Sequence, residues 1–228
     1  LVRRVRFEGN TDFFLSDNND WILRQQMAQK PSSFGLLGWP LKFLVDGEPF
    51  LPGALDGDVW PVEVYLAHNG WFDARLEGWE LQQKRRATRR RVAVWDVVGH
   101  LDVGPVTAWE EPALIWEDAP RKGLSVDDLR RLVPIKERRR FQLSHVYAGE
   151  RNLERFLHNT GFPWAEVEVE VVVWPEEQRA QASYTVTSGQ KAALGKFRFH
   201  GLERAPGHVL RRAMSIRPSH PYSEARLE

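Results

Sequence analysis

Asp58-Val-Trp-Pro-Val-Glu-Val-Tyr-Leu-Ala-His-Asn-Gly-Trp-Phe-Asp-Ala-Arg-Leu76 reads as a short helix, a glycine stop and the opening of a strand. Asp58 is placed to cap the helix, because its carboxylate can accept an unpaired N–H of the first turn. Pro61 fits that turn, whose amides have no helical partner. Val62, Tyr65 and Leu66 recur at the spacing of one apolar stripe. Gly70 is a left-handed C-terminal cap, where a side chain would clash. Phe72, Ala74 and Leu76 then alternate with Asp73, Arg75 and Glu77, the period of a half-buried strand.

The same phrase returns. Asn159-Thr-Gly161-Phe162-Pro-Trp-Ala165-Glu-Val167-Glu168 shares Gly-aromatic-x-x-Ala-x-aliphatic-Glu with the first stretch, and its glycine lies 91 residues later. Around the first copy, Val2–Phe7 alternates and stops at Glu8-Gly9-Asn10, a turn signal. Ser16 or Asp17 caps a predicted helix through about Lys30, carrying Trp21, Ile22 and Met27, and Pro31 ends it. Pro31–Pro52 is a Gly- and Pro-rich loop with too many hydrophobes for disorder. The strand from Ala74 to about Gln83 turns through Lys84–Arg91 and returns as Val92–Val98, so the order is β-α-α-β-β.

Around the second copy, Ala113–Trp116 is the expected opening strand, with Val106–Trp109 competing across Pro112. Ser125 caps a helix from Val126 to about Val133. Phe141 begins another, with Val146, Leu153, Phe156 and Leu157. Ala165–Trp174 and Ala180–Val186 form the hairpin. A third copy starts: Gly195–Gly201 echoes Val5–Gly9, Leu210–Arg217 echoes Leu129–Lys136, and Tyr222 falls where Phe141 did. The expected domains are 1–103 with a long loop over 31–54, 104–192, and a truncated third over 193–228. A period near 90 residues is too long for a solenoid repeat and is the size of a small domain.

Composition narrows the function by exclusion. Hydrophobic residues make up 42% and charged residues 28%, with Lys+Arg 32 against Asp+Glu 31, an ordinary globular balance that names no partner. No stretch reaches the roughly 18 apolar residues of a membrane helix. Without cysteine there is no disulfide, thiolate metal site or cysteine nucleophile. The 7 histidines are scattered without a metal-ligand spacing. No nucleophile elbow or phosphate-cradling glycine loop exists. The expectation is a non-enzymatic chain with no metal and no cofactor. The 10 tryptophans serve small cores and sheet faces. Leu1-Val-Arg-Arg-Val-Arg-Phe7 is strand-like rather than a signal peptide, and Tyr222–Glu228 reads as an unfinished helix. The expectation is a piece of a longer chain, with a targeting segment before it and further sequence after it.

Physically, the pattern implies an α+β protein of tandem units. Each has a three-stranded mixed sheet with two helices on one face. The outer hairpin strand has no neighbour, and an open edge presents unpaired N–H and C=O groups able to take an extended peptide as an added strand. The expected docking edge comprises Arg75, Glu77, Trp79 and Leu81 in the first unit and Glu166, Glu168, Glu170 and Val172 in the second. The glutamates share a solvent face. The basic turn Lys84, Arg85, Arg86, Arg89, Arg90 and Arg91 is either a solvated hairpin turn or a contact for anionic headgroups, worth about 1 kcal/mol per charge near such a surface. A rival reading makes it a nucleic-acid contact, marked by salt-sensitive binding. A second basic run, Lys136-Glu-Arg-Arg-Arg140, falls in an interhelix loop.

Phe7-Glu-Gly-Asn10, Lys30-Pro-Ser-Ser-Phe34, Asp58…Tyr65…Gly70-Trp-Phe-Asp-Ala74-Arg-Leu76 and Asn159-Thr-Gly161-Phe162-Pro163-Trp-Ala165-Glu-Val167 resemble POTRA (polypeptide-transport-associated) domains of BamA- and TamA-type outer-membrane barrel proteins. The resemblance covers essentially the whole chain. Trp71 and Phe162 stand where that family usually has tyrosine. The resemblance implies a periplasmic arm before a transmembrane β-barrel. It implies reception of unfolded outer-membrane protein clients or accessory lipoproteins, often by strand addition, without catalysis.

Overall fold

Val5 and Phe7 turn inward along strand β1 (Val2–Gly9), while Arg4, Arg6 and Glu8 face solvent. The computed structural model describes residues 2–9, 19–28, 51, 53–84, 94–118, 124–201, 209, 212–214 and 216–227. They form two units, Leu1–Thr107 with Pro175–Gln178 and Ala108–Trp174 with Arg179–Glu228.

In the first unit, β1 is followed by α1 (Asn19–Gln26), α2 (Ala54–His68), β2 (Arg75–Lys84) and β3 (Val94–Asp102). The sheet order is β1-β3-β2, with β1 parallel and β2 antiparallel to β3. Leu23 of α1, Met27 just after it, and Leu55, Val62 and Leu66 of α2 pack with Val5, Phe7, Leu76, Val97 and Leu101 of the sheet in one core. Each such fully buried aliphatic side chain contributes about 1.5–3 kcal/mol.

Two readings of the opening stretch are corrected. α2 begins at Ala54, so Asp58 and Pro61 lie inside the helix rather than in its first turn. Leu55, Asp58, Val62 and Leu66 form its buried side. Asp58 is only 1% exposed and accepts the Ala28 N–H at 2.6 Å. The apolar stripe starts one turn earlier than expected, which carries Asp58 into the core, where its carboxylate meets an amide just beyond α1. Helix α1 stops at Gln26 rather than near Lys30. Ser16, Asp17 and the loop over 31–50 lie outside the described residues.

The second unit runs β4 (Ala108–Trp109), β5 (Ala113–Trp116), α3 (Val126–Arg130), α4 (Leu143–Asn159), β6 (Glu166–Trp174) and β7 (Arg179–Thr187). Both competing opening segments form. β4 and β5 lie parallel to β7 on one side, and β6 pairs with β7 on the other. Pro112 has no N–H to give a ladder and divides what is a single strand in the first unit. Ser125 caps α3 as expected, its hydroxyl accepting the Asp127 N–H at 3.3 Å, but the helix closes at Arg130. Helix α4 starts at Leu143, since Phe141 turns into the core against Trp109, with ring centroids 4.5 Å apart.

The repeated phrase has one structure. Gly70 has φ 100 and Gly161 has φ 107. The following amides, Trp71 and Phe162, both donate back into the helix at 3.0 Å, to Leu66 O and Leu157 O. This is the Schellman closure that a left-handed glycine permits. Trp71 and Phe162 are both buried, as are Ala74 and Ala165, and Leu76 and Val167.

A second echo involves hydrogen bonds. Trp109 N–H donates to Arg139 O and Arg138 N–H to Trp109 O, with Arg138 at φ 61. Leu194 N–H donates to His220 O and Ser219 N–H to Leu194 O, with Ser219 at φ 69.

Candidate docking edges

Ladder phase fixes which backbone groups of β6 are open. N–H and C=O groups of successive strand residues point to opposite sides. Ala180 O and Val186 O accept from Glu110 N and Glu117 N, so these two residues of β7 face the β4–β5 side. The residues that alternate with them, including Gln181, Ser183 and Thr185, therefore face β6. Their partners are Val172, Glu170 and Glu168. What remains for the outside is Val167, Val169, Val171 and Val173. Among the described residues, no further hydrogen bond reaches these four valines.

Glu166, Glu168, Glu170 and Val172 do lie on the outer strand of the sheet, with exposed side chains on the face away from the helices. Their backbone groups, however, are spent on β7. The four valines are the edge that the sequence reading passed over, because it picked the residues by their exposed side chains. The hydrogen-bond phase could not be read from the sequence, since it depends on β4 and β5 lying beside β7.

In the first unit, β2 is also the outer strand, but its register shifts between Leu76 and Gly78. The bulge reverses the alternation. Arg75 and Glu77 are exposed, while Trp79, expected on the same row, packs against the core and donates its indole N–H to Leu55 O at 3.1 Å. Leu81 is at the exposed margin. The Leu76 amide, at the position matching Val167, is occupied: it donates to the Glu63 carboxylate of α2 at 3.0 Å. Lys84 ends β2. Arg85, Arg86, Arg89, Arg90 and Arg91 lie outside the described residues.

Among the described residues, no group of His, Asp or Glu is arranged to hold a metal ion. None of their helices is long and apolar enough to cross a membrane. Of the two outer strands, β6 is the one with an unbroken register and a row of outward backbone groups, the kind of edge that backbone pairing requires.

Residues 121–189 match the family model for POTRA, described as surface antigen variable number repeat. No curated protein matches the chain in sequence. Among solved structures, POTRA domains 3–5 of Haemophilus influenzae BamA are similar over 99% of this chain and 82% of that one, at 16% identity and a TM-score of 0.50. Haemophilus ducreyi BamA lacking POTRA domains 1–3 is 17% identical over 86% of this chain and 30% of that one, with a TM-score of 0.39. The N-terminal domain of Omp85 from Thermosynechococcus elongatus is 14% identical over 100% and 81%, with a TM-score of 0.37.

Proposed function

Starting from a chain that has the POTRA fold, with a POTRA domain over residues 121–189, we propose that it is the periplasmic arm of an outer-membrane protein, and that it receives unfolded outer-membrane protein segments by adding them as strands to β6. The reading rests on one observation. Val167, Val169, Val171 and Val173 present four consecutive outward backbone positions with no bond to any described residue. Backbone pairing is indifferent to side-chain identity, which suits a receiver of many clients. The arm is a binding scaffold without catalytic chemistry. Accessory lipoproteins and an anionic membrane surface are further partners, with the Lys84–Arg91 turn as the membrane contact. Residues 193–228 are the truncated start of a third unit in this reading, and a barrel belongs to the same protein.

Proline substitution separates the open edge from the ladder. Val169→Pro removes an outward N–H while leaving the β7 ladder intact, since proline is tolerated on an edge strand. Glu168→Pro removes a ladder bond and serves as the destabilised control. In an NMR titration with a peptide from an outer-membrane barrel strand, the amides of Val167–Val173 are expected to shift in the wild type. In Val169→Pro, binding is expected to be lost with the fold retained. Unchanged β6 amides at saturating peptide would sink the proposal.

A further inference from the structure

The second basic run, Lys136–Arg140, has no part in strand docking, yet it is held more firmly than a solvated loop requires. Ile135 and Phe141, on either side of it, are buried at 5% and 3% exposure. Between them the backbone is pinned to β4 by the Trp109–Arg139 and Arg138–Trp109 hydrogen bonds, at 2.7 and 2.8 Å, and by an antiparallel bridge from Ala108 to Arg140. Beside this loop lies a concave site of about 420 Å³, lined by Pro134, Lys136, Arg139, Arg140, Gln142 and His145. Three permanent cations and a histidine line it, and no carboxylate does. The nearest acid in sequence, Glu137, pairs with Arg138 instead. Lys136 and Arg139 have no carboxylate partner among the described residues. Lys136 and Arg139 carry like charges on one fixed loop and repel one another, and an anion would relieve that repulsion.

We propose that this site binds a phosphate group, carried by a lipid headgroup or free in solution. Guanidinium forks match the oxygen geometry of phosphate. The volume exceeds that of a single small ion and lies in the range of pockets that hold an organic headgroup. The loop is ordered before binding, so little conformational entropy is lost when the ligand enters. Gln142, at the N-terminal end of α4, makes no side-chain cap, and the first turn of that helix contains no acidic residue. The adjoining helix end therefore adds favourable rather than opposing charge.

The experiment uses the whole chain. Flotation is measured with phosphatidylcholine vesicles, alone and doped with phosphatidic acid, and calorimetry is run with inorganic phosphate at matched ionic strength. The double variant Lys136→Gln/Arg139→Gln removes two charges from the site. Arg151→Gln/Arg155→Gln removes two exposed charges from α4 outside it and controls for net charge. We expect binding to doped vesicles, to inorganic phosphate or to both, weakened about 30-fold in the site variant at about 1 kcal/mol per charge, with the control near wild type. Binding to doped vesicles alone identifies a lipid source, and binding to inorganic phosphate alone identifies a free one. Absence of both overturns the proposal, as does equal weakening in the two variants. Unchanged thermal unfolding of the site variant confirms that the fold is retained.

Discussion

The two units place different residues at the same point of the same helix. Twelve residues before the terminal glycine, the first has buried Asp58 and the second has Gly149. Their sheets answer in kind. Opposite Gly149 stands Tyr184, fully buried, its hydroxyl donating to Val146 O at 3.2 Å. A Cβ at Gly149 would lie 2.5 Å from that oxygen. At the strand position of Tyr184 the first unit has Gly99, where a Cβ would lie 2.8 Å from the Trp79 ring. The second unit fills its core centre from the middle strand. The first fills it from the outer strand, with Trp79 tilted against Phe7 at 5.8 Å. That choice costs the first unit its open edge. Bringing Trp79 inward goes with the bulge in β2, whereas β6 keeps an unbroken register along its nine residues. The same fold thus yields one edge that is interrupted and one whose register is unbroken.

The heaviest test of this contrast is Tyr184→Ala. Removing this buried aromatic is expected to cost about 4 kcal/mol, confined to the second unit and read by hydrogen exchange of β6 and β7. Equal loss of protection in β2 and β3 would refute the division of roles. Asp58→Ala is expected to cost about 2 kcal/mol, because it strands the Ala28 amide that the carboxylate accepts. Denaturant unfolding should show it, with protection lost first in α1.

A third difference is chemical. Burial, followed by the negative charge of Glu150, holds the Tyr184 phenol above its ordinary value of 10.0. The folded state therefore keeps a proton that the unfolded state gives up. The stabilisation is whole below about pH 10 and is lost as pH rises toward the folded value. Melting of the second unit should fall in that alkaline window, and Tyr184→Phe should flatten the fall. The smallest effect belongs to Glu63→Ala, expected to cost about 1 kcal/mol and to speed exchange of the Leu76 amide. A Leu76 rate that did not change would show that Glu63 leaves that edge open.

Much of this was legible in the sequence. Gly70 and Gly161, the aromatic after each, and the alanine and aliphatic residue that follow have the same places in both units, because those positions are governed by local backbone and period. The rest depended on distant partners. Asp58 looked like a cap because Ala28, which it serves, is 30 residues away. The bulge after Leu76 was hidden because Gly78 fits either phase of the strand. Val106–Trp109 and Ala113–Trp116 seemed to be alternatives because nothing local shows that one partner strand accepts both. The open valines of β6 were missed for the same reason, since hydrogen-bond phase is set by the neighbour on the far side of β7.

The acidic row of β6 acquires a meaning from this geometry. A valine-rich strand with open amides is as attractive to its own copy as to a client. In an antiparallel pair of β6 edges centred on Val169, Glu168 would face Glu170 of the other chain, and each would repel the other across the new ladder. The glutamates would thus disfavour pairing of two β6 edges in this register, while a strand without the same charges would meet no such repulsion.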